Sequence, residues 1–342
     1  MKVVVAGATG AVGREMLRTL QARRFPIDEL VPLASPRSEG VRLPFGGGEV
    51  EVRRLEGFGW DGVDIALFSA GAAASREHAP VAAAAGSVVV DNSSAWRMDP
   101  GVPLVIPEIN PEALRAHRGI VANPNCTAIT ALMAVGPLHR AAGLTSLVMS
   151  SYQSVSGAGH KGIRELLEQV EKLRGHEEEL AEPDATALPA GEVFRRTIAY
   201  NVVPRAGTFE AGGFTSEEVK LANEARKILD LPNLPVSGTV VRVPTIVGHA
   251  VSVHATFSGA IDSEEARTAL AGSPGVEVVD DPSRDLFPTP IDAAGRDEVL
   301  VGRIRQPEGQ PNAIVLFAVG DNLRKGAALN AVQIAERIAG VG

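Results

Sequence analysis

The run Val3-Val4-Val5-Ala6-Gly7-Ala8-Thr9-Gly10-Ala11-Val12-Gly13 constrains the fold more than any other feature of the chain. Lys2–Ala6 reads as a buried strand, and Val12, Met16, Leu17 and Leu20 follow the glycines at helical spacing. A strand that enters a helix through a glycine turn is the opening of a βαβ unit. Gly7 permits the tight exit from the strand, Gly10 leaves room for a pyrophosphate against the backbone, and Gly13 lets the helix pack closely. The helix start then offers free N–H groups and the positive end of its dipole to phosphate oxygens. The spacing GxxGxxG is a variant of the usual dinucleotide fingerprint, and its position at a strand–helix junction is what gives it weight. Gly7, Thr9, Gly10, Ala11 and Val12 are therefore candidate cofactor-binding residues.

The alternation continues. Segments 27–34, 64–68 and 87–90 read as strands and 72–85 as an alanine-rich helix, which predicts a parallel, doubly wound sheet. The character changes near Asn123. A helix is expected from there to about residue 142, a strand over 147–155, the turn Ser156-Gly157-Ala158-Gly159, and a helix to about residue 174. The acidic, proline-containing segment 176–189 reads as a surface loop. Thr215 and Glu218 have capping-box spacing for a helix over 215–229. Val251, Val253, Ala255 and Phe257 alternate as in a half-buried strand, and 299–305 and 313–319 are further strands. With 342 residues the chain is too long for one ordinary core. The expected architecture is α/β: a Rossmann-type first domain (1–124 with 320–342) and an α+β second domain (125–319), mostly antiparallel, for catalysis and dimerisation. The last helix, over 325–339, lacks a local partner and is expected to pack back on the first domain.

Charge and cysteine content exclude several functions. The net charge is −8, the opposite of what a nucleic-acid-binding face needs. Cys126 is the only cysteine, so an intrachain disulfide and a cysteine zinc cluster are both excluded, and no metal site is expected. Glycines 7, 10 and 13 interrupt the apolar start too early for a signal peptide. Apolar runs such as 81–85 and 88–90 fall far short of the roughly 18 residues that span a bilayer. A cytoplasmic protein acting on a small molecule, with neither nucleic acid nor membrane as partner, is the expectation.

Two local patterns suggest chemistry. Ala34-Ser35-Pro36-Arg37-Ser38 ends the second strand, where an acidic residue would hold the 2′-hydroxyl of NAD. An arginine between hydroxyls suits a 2′-phosphate instead, so Ser35, Arg37 and Ser38 favour NADP. In Asn123-Pro124-Asn125-Cys126-Thr127, Asn123 can cap a helix and Pro124 can be its first residue. Cys126 then lies in the first turn, where the dipole favours a thiolate and so a nucleophile.

Together with Asn92-Ser93-Ser94-Ala95-Trp96-Arg97, Val105-Ile106-Pro107-Glu108-Ile109-Asn110, Ser151-Tyr152-Gln153-Ser154-Val155-Ser156-Gly157-Ala158-Gly159 and Asp321-Asn322-Leu323-Arg324-Lys325-Gly326-Ala327, these patterns resemble the aspartate-semialdehyde dehydrogenase family, in order and over nearly the whole chain. One departure is Ala128, where members often carry a second threonine. The resemblance implies NADPH-dependent reduction of L-aspartyl 4-phosphate to the 4-semialdehyde in aspartate-family amino-acid biosynthesis, through a thioester on Cys126. It also implies a homodimer. Seven histidines leave the acid–base group open; the match of Arg242-Val243-Pro244-Thr245-Ile246-Val247-Gly248-His249 to the family chooses His249, whose unperturbed imidazole would titrate near neutrality, and leaves His254 as an ordinary strand residue. Arg242 has the planar fork that a substrate carboxylate needs. Glu217, left free by the capping role of Glu218, suits the ammonium and shares a helix face with Lys220. The resemblance assigns Lys220 and Arg97 to phosphate, Gln153 to substrate orientation, and Ser156, Gly157 and Asn322 to the nicotinamide side; Asn125 suits a developing oxyanion. The rival enzyme reading, N-acetyl-γ-glutamyl-phosphate reductase, would carry Gly-Cys-Tyr rather than Asn125-Cys126-Thr127. A non-enzymatic NADP-sensing protein would have no need of a thiolate beside Arg97, Lys220 and Arg242.

Overall fold

The structure, a computed structural model, describes residues 1–181, 188–189 and 191–341. Residues 182–187 of the expected surface loop lie outside the described residues, while Glu177–Ala181 forms a short 3-10 turn.

β1 (Lys2–Ala6) runs through the glycine turn into α1 (Ala11–Ala22), and β2 (Glu29–Ala34) returns beside β1. A hairpin that the strand–helix alternation did not anticipate, β3 (Arg42–Phe45) and β4 (Gly48–Glu51), is followed by the short β5 (Arg53–Arg54). Then come β6 (Ile65–Phe68), α2 (Ala72–Ala84), β7 (Val88–Asp91) and β8 (Ile120–Ala122). The sheet is parallel, in the order β5-β2-β1-β6-β7-β8. The chain leaves β1 for β2 on one side and resumes with β6 on the other, so the carboxyl end of β1 is the switch point where such sheets bind ligands. Alternate residues of β1 enter two different cores: Val4 and Ala6 pack with Phe68 and Ala79, Val3 and Val5 with Met16 and Leu17. Burial on both faces explains why β1 reads as an unbroken apolar run.

α3 (Cys126–Ala142) crosses to the second lobe, which continues with β9 (Leu144–Gln153), α4 (His160–Leu173), α5 (Ser216–Ile228), β10 (Val236–Arg242), β11 (His249–Phe257), α6 (Ser263–Ala271), β12 (Val276–Val278), α7 (Pro290–Ala293), β13 (Val299–Arg305) and β14 (Ala313–Gly320). Its sheet, β10-β9-β11-β14-β13-β12, is antiparallel at the centre and parallel at both edges, hence mixed. The parallel pairing of β9 with β10 follows from the long helical connection between them, since parallel strands cannot be joined by a hairpin. α3, α5 and α6 cover one face, into which the in-register row Met149, Val253 and Leu316 packs. On the other face the row Val148, His254 and Val315 faces outward, and Tyr152 sits against Phe317 at 5.9 Å between ring centroids.

After β14 a π-type turn, Arg324–Ala328, leads into α8 (Leu329–Ala339). Ala331, Val332 and Ala335 of α8 join Val3, Val5, Met16 and Leu20, so the last helix does return to the first sheet.

Candidate active site

The sheet register assembles one wall of the site. Gln153 ends β9 and Arg242 ends β10, and the two are paired neighbours. His249 opens β11 next to the Ala250–Tyr152 pair, and it pairs with Gly320, two residues before Asn322. Four residues far apart in sequence are thus brought to one end of one sheet. The opposite wall is the glycine turn of the first lobe, and α3 supplies the floor. A cleft of about 390 Å³ results, lined among others by Gly10, Ala11, Val12, Arg97, Asn125, Cys126, Gln153, Ser156, Gly157, Glu217, Lys220, Arg242 and Asn322.

The cap of α3 differs from the sequence expectation. Neither Asn123 nor Pro124 starts the helix. Asn125 is the N-cap, its side-chain oxygen accepting from the N–H of Thr127 (2.9 Å) and Ala128 (3.4 Å), and Cys126 is the first helical residue. Asn123 is instead buried in a side-chain network with Asn92 (2.7 Å) and Asn330 (2.7 Å), which fixes it outside the helix. The amide nitrogen of Asn125 donates one hydrogen to Glu217 at 2.7 Å, which leaves its second N–H for the oxyanion role expected of it.

Cys126 is partly exposed at the cleft. Burial of the sulfur, with Glu217 adding to it, pushes the thiol above its ordinary value; Arg242, Arg97 and the Thr127 N–H pull the other way without reversing it. Burial thus opposes the thiolate that the helix start favours on sequence grounds. His249 departs from expectation too. It is fully buried, and burial together with the Arg242 charge holds it well below the ordinary histidine range rather than near neutrality. Its Nδ1 accepts from the Ser154 backbone N–H at 3.1 Å, so the proton of the neutral ring sits on Nε2, which has no partner among the described residues. His249 lies behind Gly157: a Cβ on Gly157 would stand 2.4 Å from Arg242 Nη1 and 3.0 Å from His249 Nε2, so only glycine leaves room for both side chains.

Glu217 bridges Lys220 (2.7 Å) and Asn125. Burial raises its carboxyl, but Lys220, Arg242 and the amide of Asn125 outweigh that and hold it below the ordinary value. Arg97 donates to the backbone oxygens of Asn123 (2.9 Å) and Asn92 (3.0 Å) and to Glu224 (3.0 Å). Gln153 donates to Thr127 at 2.7 Å. Asn322 accepts from Ser154 (3.0 Å), Ser156 (3.2 Å) and the Gly248 N–H (3.0 Å), so it braces the loop that carries His249 as well as lining the cleft. Sequence reasoning passed over Glu224, Ser69 and Gly326. Glu224 had a signal, since 217, 220 and 224 follow i, i+3, i+7 spacing on one helix face. Gly326 lies so close that a Cβ there would come within 3.0 Å of the Cys126 Cβ.

A neighbouring cavity of about 540 Å³ shares Gly10 and Ser69 with the cleft and is lined also by Gly7, Thr9, Ser35, Arg37, Glu56 and His78. Ser38 is not among its lining residues; its hydroxyl accepts from Thr9 at 3.3 Å. Two cavities meeting at the glycine turn have the form an elongated dinucleotide needs. α1 starts at Gly10 without a side-chain cap, leaving its first turn open to phosphate oxygens. A Cβ on Gly13 would come within 2.2 Å of the Gly7 oxygen, so its role is the close packing of the turn. Among the described residues no helix is long and apolar enough to cross a membrane, and no cluster of three metal-ligating side chains occurs.

The Rossmann-type sheet with its open glycine turn, and the cysteine in the cleft beside it, define the class: a dinucleotide-linked oxidoreductase. Residues 2–117 match the family model described as semialdehyde dehydrogenase, NAD binding domain, and residues 135–325 the one described as semialdehyde dehydrogenase, dimerisation domain. Aspartate-semialdehyde dehydrogenase of Aquifex aeolicus is 47% identical over 98% of this chain and 97% of its own, and that of Corynebacterium glutamicum 49% identical over 98% of each. The crystal structure of aspartate semialdehyde dehydrogenase II complexed with ASA from Vibrio cholerae superposes with a TM-score of 0.92 at 45% identity, covering 99% of this chain and 98% of that one. The chain belongs to the aspartate-semialdehyde dehydrogenase family.

Proposed function

We propose that the chain interconverts L-aspartyl 4-phosphate and L-aspartate 4-semialdehyde with NADP(H), through a thioester on Cys126. The observation that carries this reading is the position of Cys126 in one cleft with the glycine turn on one side and Gln153, Glu217 and Arg242 on the other. In the reductive direction Arg242 and Arg97 favour loss of the thiol proton to water in the open cleft, and the sulfur attacks the acyl carbon. The carbon–oxygen bond to phosphate breaks, and Lys220 and Arg97 receive the released phosphate. When bound, the dinucleotide supplies the hydride that takes the thioester to the level of a hemithioacetal. His249, whose Nε2–H lies against Gly157 at the cleft wall, donates a hydrogen bond to the oxygen that carries charge at each addition and keeps its proton, a role that suits a neutral ring. Collapse then releases the aldehyde and returns the sulfur. Arg242 takes the substrate carboxylate and Glu217 its ammonium, and Gln153 orients the acyl group.

Ser35 and Arg37 support NADP over NAD, because a guanidinium can pair with a 2′-phosphate. Residues 1–124 with 320–342 would carry the dinucleotide, and 125–319 the chemistry and the contact between two copies in a homodimer. The experiment is phosphate-dependent NADP reduction by purified protein with aspartate semialdehyde, run beside the N-acetylglutamate analogue. Cys126→Ala is expected to lose all turnover while still binding NADP; residual phosphate-dependent reduction would refute the thioester. Arg37→Ala is expected to weaken NADP by about tenfold and NAD hardly at all, and equal losses would remove the 2′-phosphate contact.

A further inference from the structure

Glu224 takes no part in the chemistry outlined above, yet it is a fully buried carboxylate at the back of the cleft, 0% exposed, with both oxygens engaged. Oε1 accepts from Arg97 Nη1 at 3.0 Å, and Oε2 accepts from the backbone N–H of Asn125 at 2.6 Å. The first contact reaches the arginine that takes phosphate. The second reaches the peptide immediately before the nucleophile, at the N-cap of α3. The other acceptors that hold the Arg97 guanidinium are the backbone oxygens of Asn92 and Asn123, so Glu224 is its one charged anchor among the described residues. Burying a carboxylate is costly, and apolar packing of similar volume would fill the same space between α5 and α3 without that cost. Burial raises the Glu224 carboxyl above its ordinary value, with Arg97 and the Asn125 N–H opposing, so the pair of contacts is a use that packing does not explain.

We propose that Glu224 is a positioning residue for the reaction. It fixes the phosphate-binding guanidinium of Arg97 and the Asn125–Cys126 peptide in one rigid relation, so that the sulfur and the leaving phosphate meet the acyl carbon along set directions. The proposal rests on the function above, in which Arg97 takes phosphate. Glu224 itself touches no substrate.

The test uses the full chain in the direction of aldehyde oxidation, with inorganic phosphate as the varied substrate. Glu224→Gln keeps the volume and an acceptor for the Asn125 N–H but removes the charge that holds Arg97. Its KM for phosphate is expected to rise about tenfold or more, and kcat to fall, while the KM for NADP stays within about twofold. Glu224→Asp keeps the charge on a shorter arm that cannot span both partners, so a smaller rise in the phosphate KM is expected, again with NADP unchanged. A phosphate KM equal to wild type in either variant overturns the proposal. So does a parallel rise of the phosphate, aldehyde and NADP constants that follows a loss of melting temperature, because that is the mark of a merely structural residue. If Glu224→Gln does not fold, the aspartate variant decides alone. Wild-type protein that fails to reduce NADP with aldehyde and phosphate would instead remove the function, so the two failures are distinguishable.

Discussion

At the level of single residues, burial shifts the balance between charged and neutral forms of the groups the chemistry starts from. The helix start predicted a thiolate at Cys126 and a histidine titrating near neutrality. Burial, the term that sequence does not display, moves both groups toward their neutral forms: it raises the thiol and lowers the imidazole. The sign gives a direct expectation. A raised thiol pKa leaves less thiolate at neutral pH than a free cysteine has, so alkylation of Cys126 by iodoacetamide in the free protein is expected to accelerate with pH through a midpoint above the ordinary thiol value. Replacing Arg242 by Leu should push that midpoint higher still, since the guanidinium favours the anion; a midpoint near 7 would mean that the dipole governs after all. The identities of Cys126, Gln153, Arg242 and His249 were legible in the motifs. The engagement of Asn125 with Glu217 and the burial of Glu224 were not, because both depend on α5 packing across the start of α3.

At the level of elements, the site is a consequence of strand register. β9 and β10 end together, β11 begins beside them, and the turn after β9 passes over the result. That turn can be tested at Gly157, where a methyl group would meet the far end of Arg242 at 2.4 Å. The guanidinium can swing away, so Gly157→Ala is expected to fold while its kcat/KM for aldehyde falls about tenfold or more, as expected when a bidentate contact is lost. Unchanged kinetics would mean that Arg242 is not held where the structure has it. The capping box at Thr215 and Glu218 was readable because it is local, whereas the cap of α3 was misread by two residues. Asn123 and Asn125 are equally good caps on chemical grounds, and the choice falls to Asn330 and Asn92, which take Asn123 for themselves. The β3–β4 hairpin and the parallel edge strand β10 escaped notice because neither has a strong apolar alternation, and the motif at Arg242 begins only where β10 ends.

At the level of the molecule, the second sheet has one face covered by helices and one open face with apolar side chains, including Val148, 48% exposed, and the Tyr152–Phe317 pair. An open apolar sheet face in the lobe matched by the dimerisation model is where a second copy would dock. Val148→Asp places an unpaired charge on that face and is expected to convert a dimer to monomer in sedimentation, with the fold retained by circular dichroism; a variant that stays dimeric would put the contact elsewhere. The βαβ opening, the two-part architecture, the family and most of the residues that line the cleft could be read before any coordinates, because these are written in local spacing and in short motifs that survive without their neighbours. It took the packed fold to select the asparagine that caps α3, to bury Cys126 and His249 so that both are pushed toward their neutral forms, and to let Glu224 tie Arg97 to the nucleophile's helix. Those outcomes depend on desolvation and on contacts between residues as much as 207 positions apart, which no local pattern encodes.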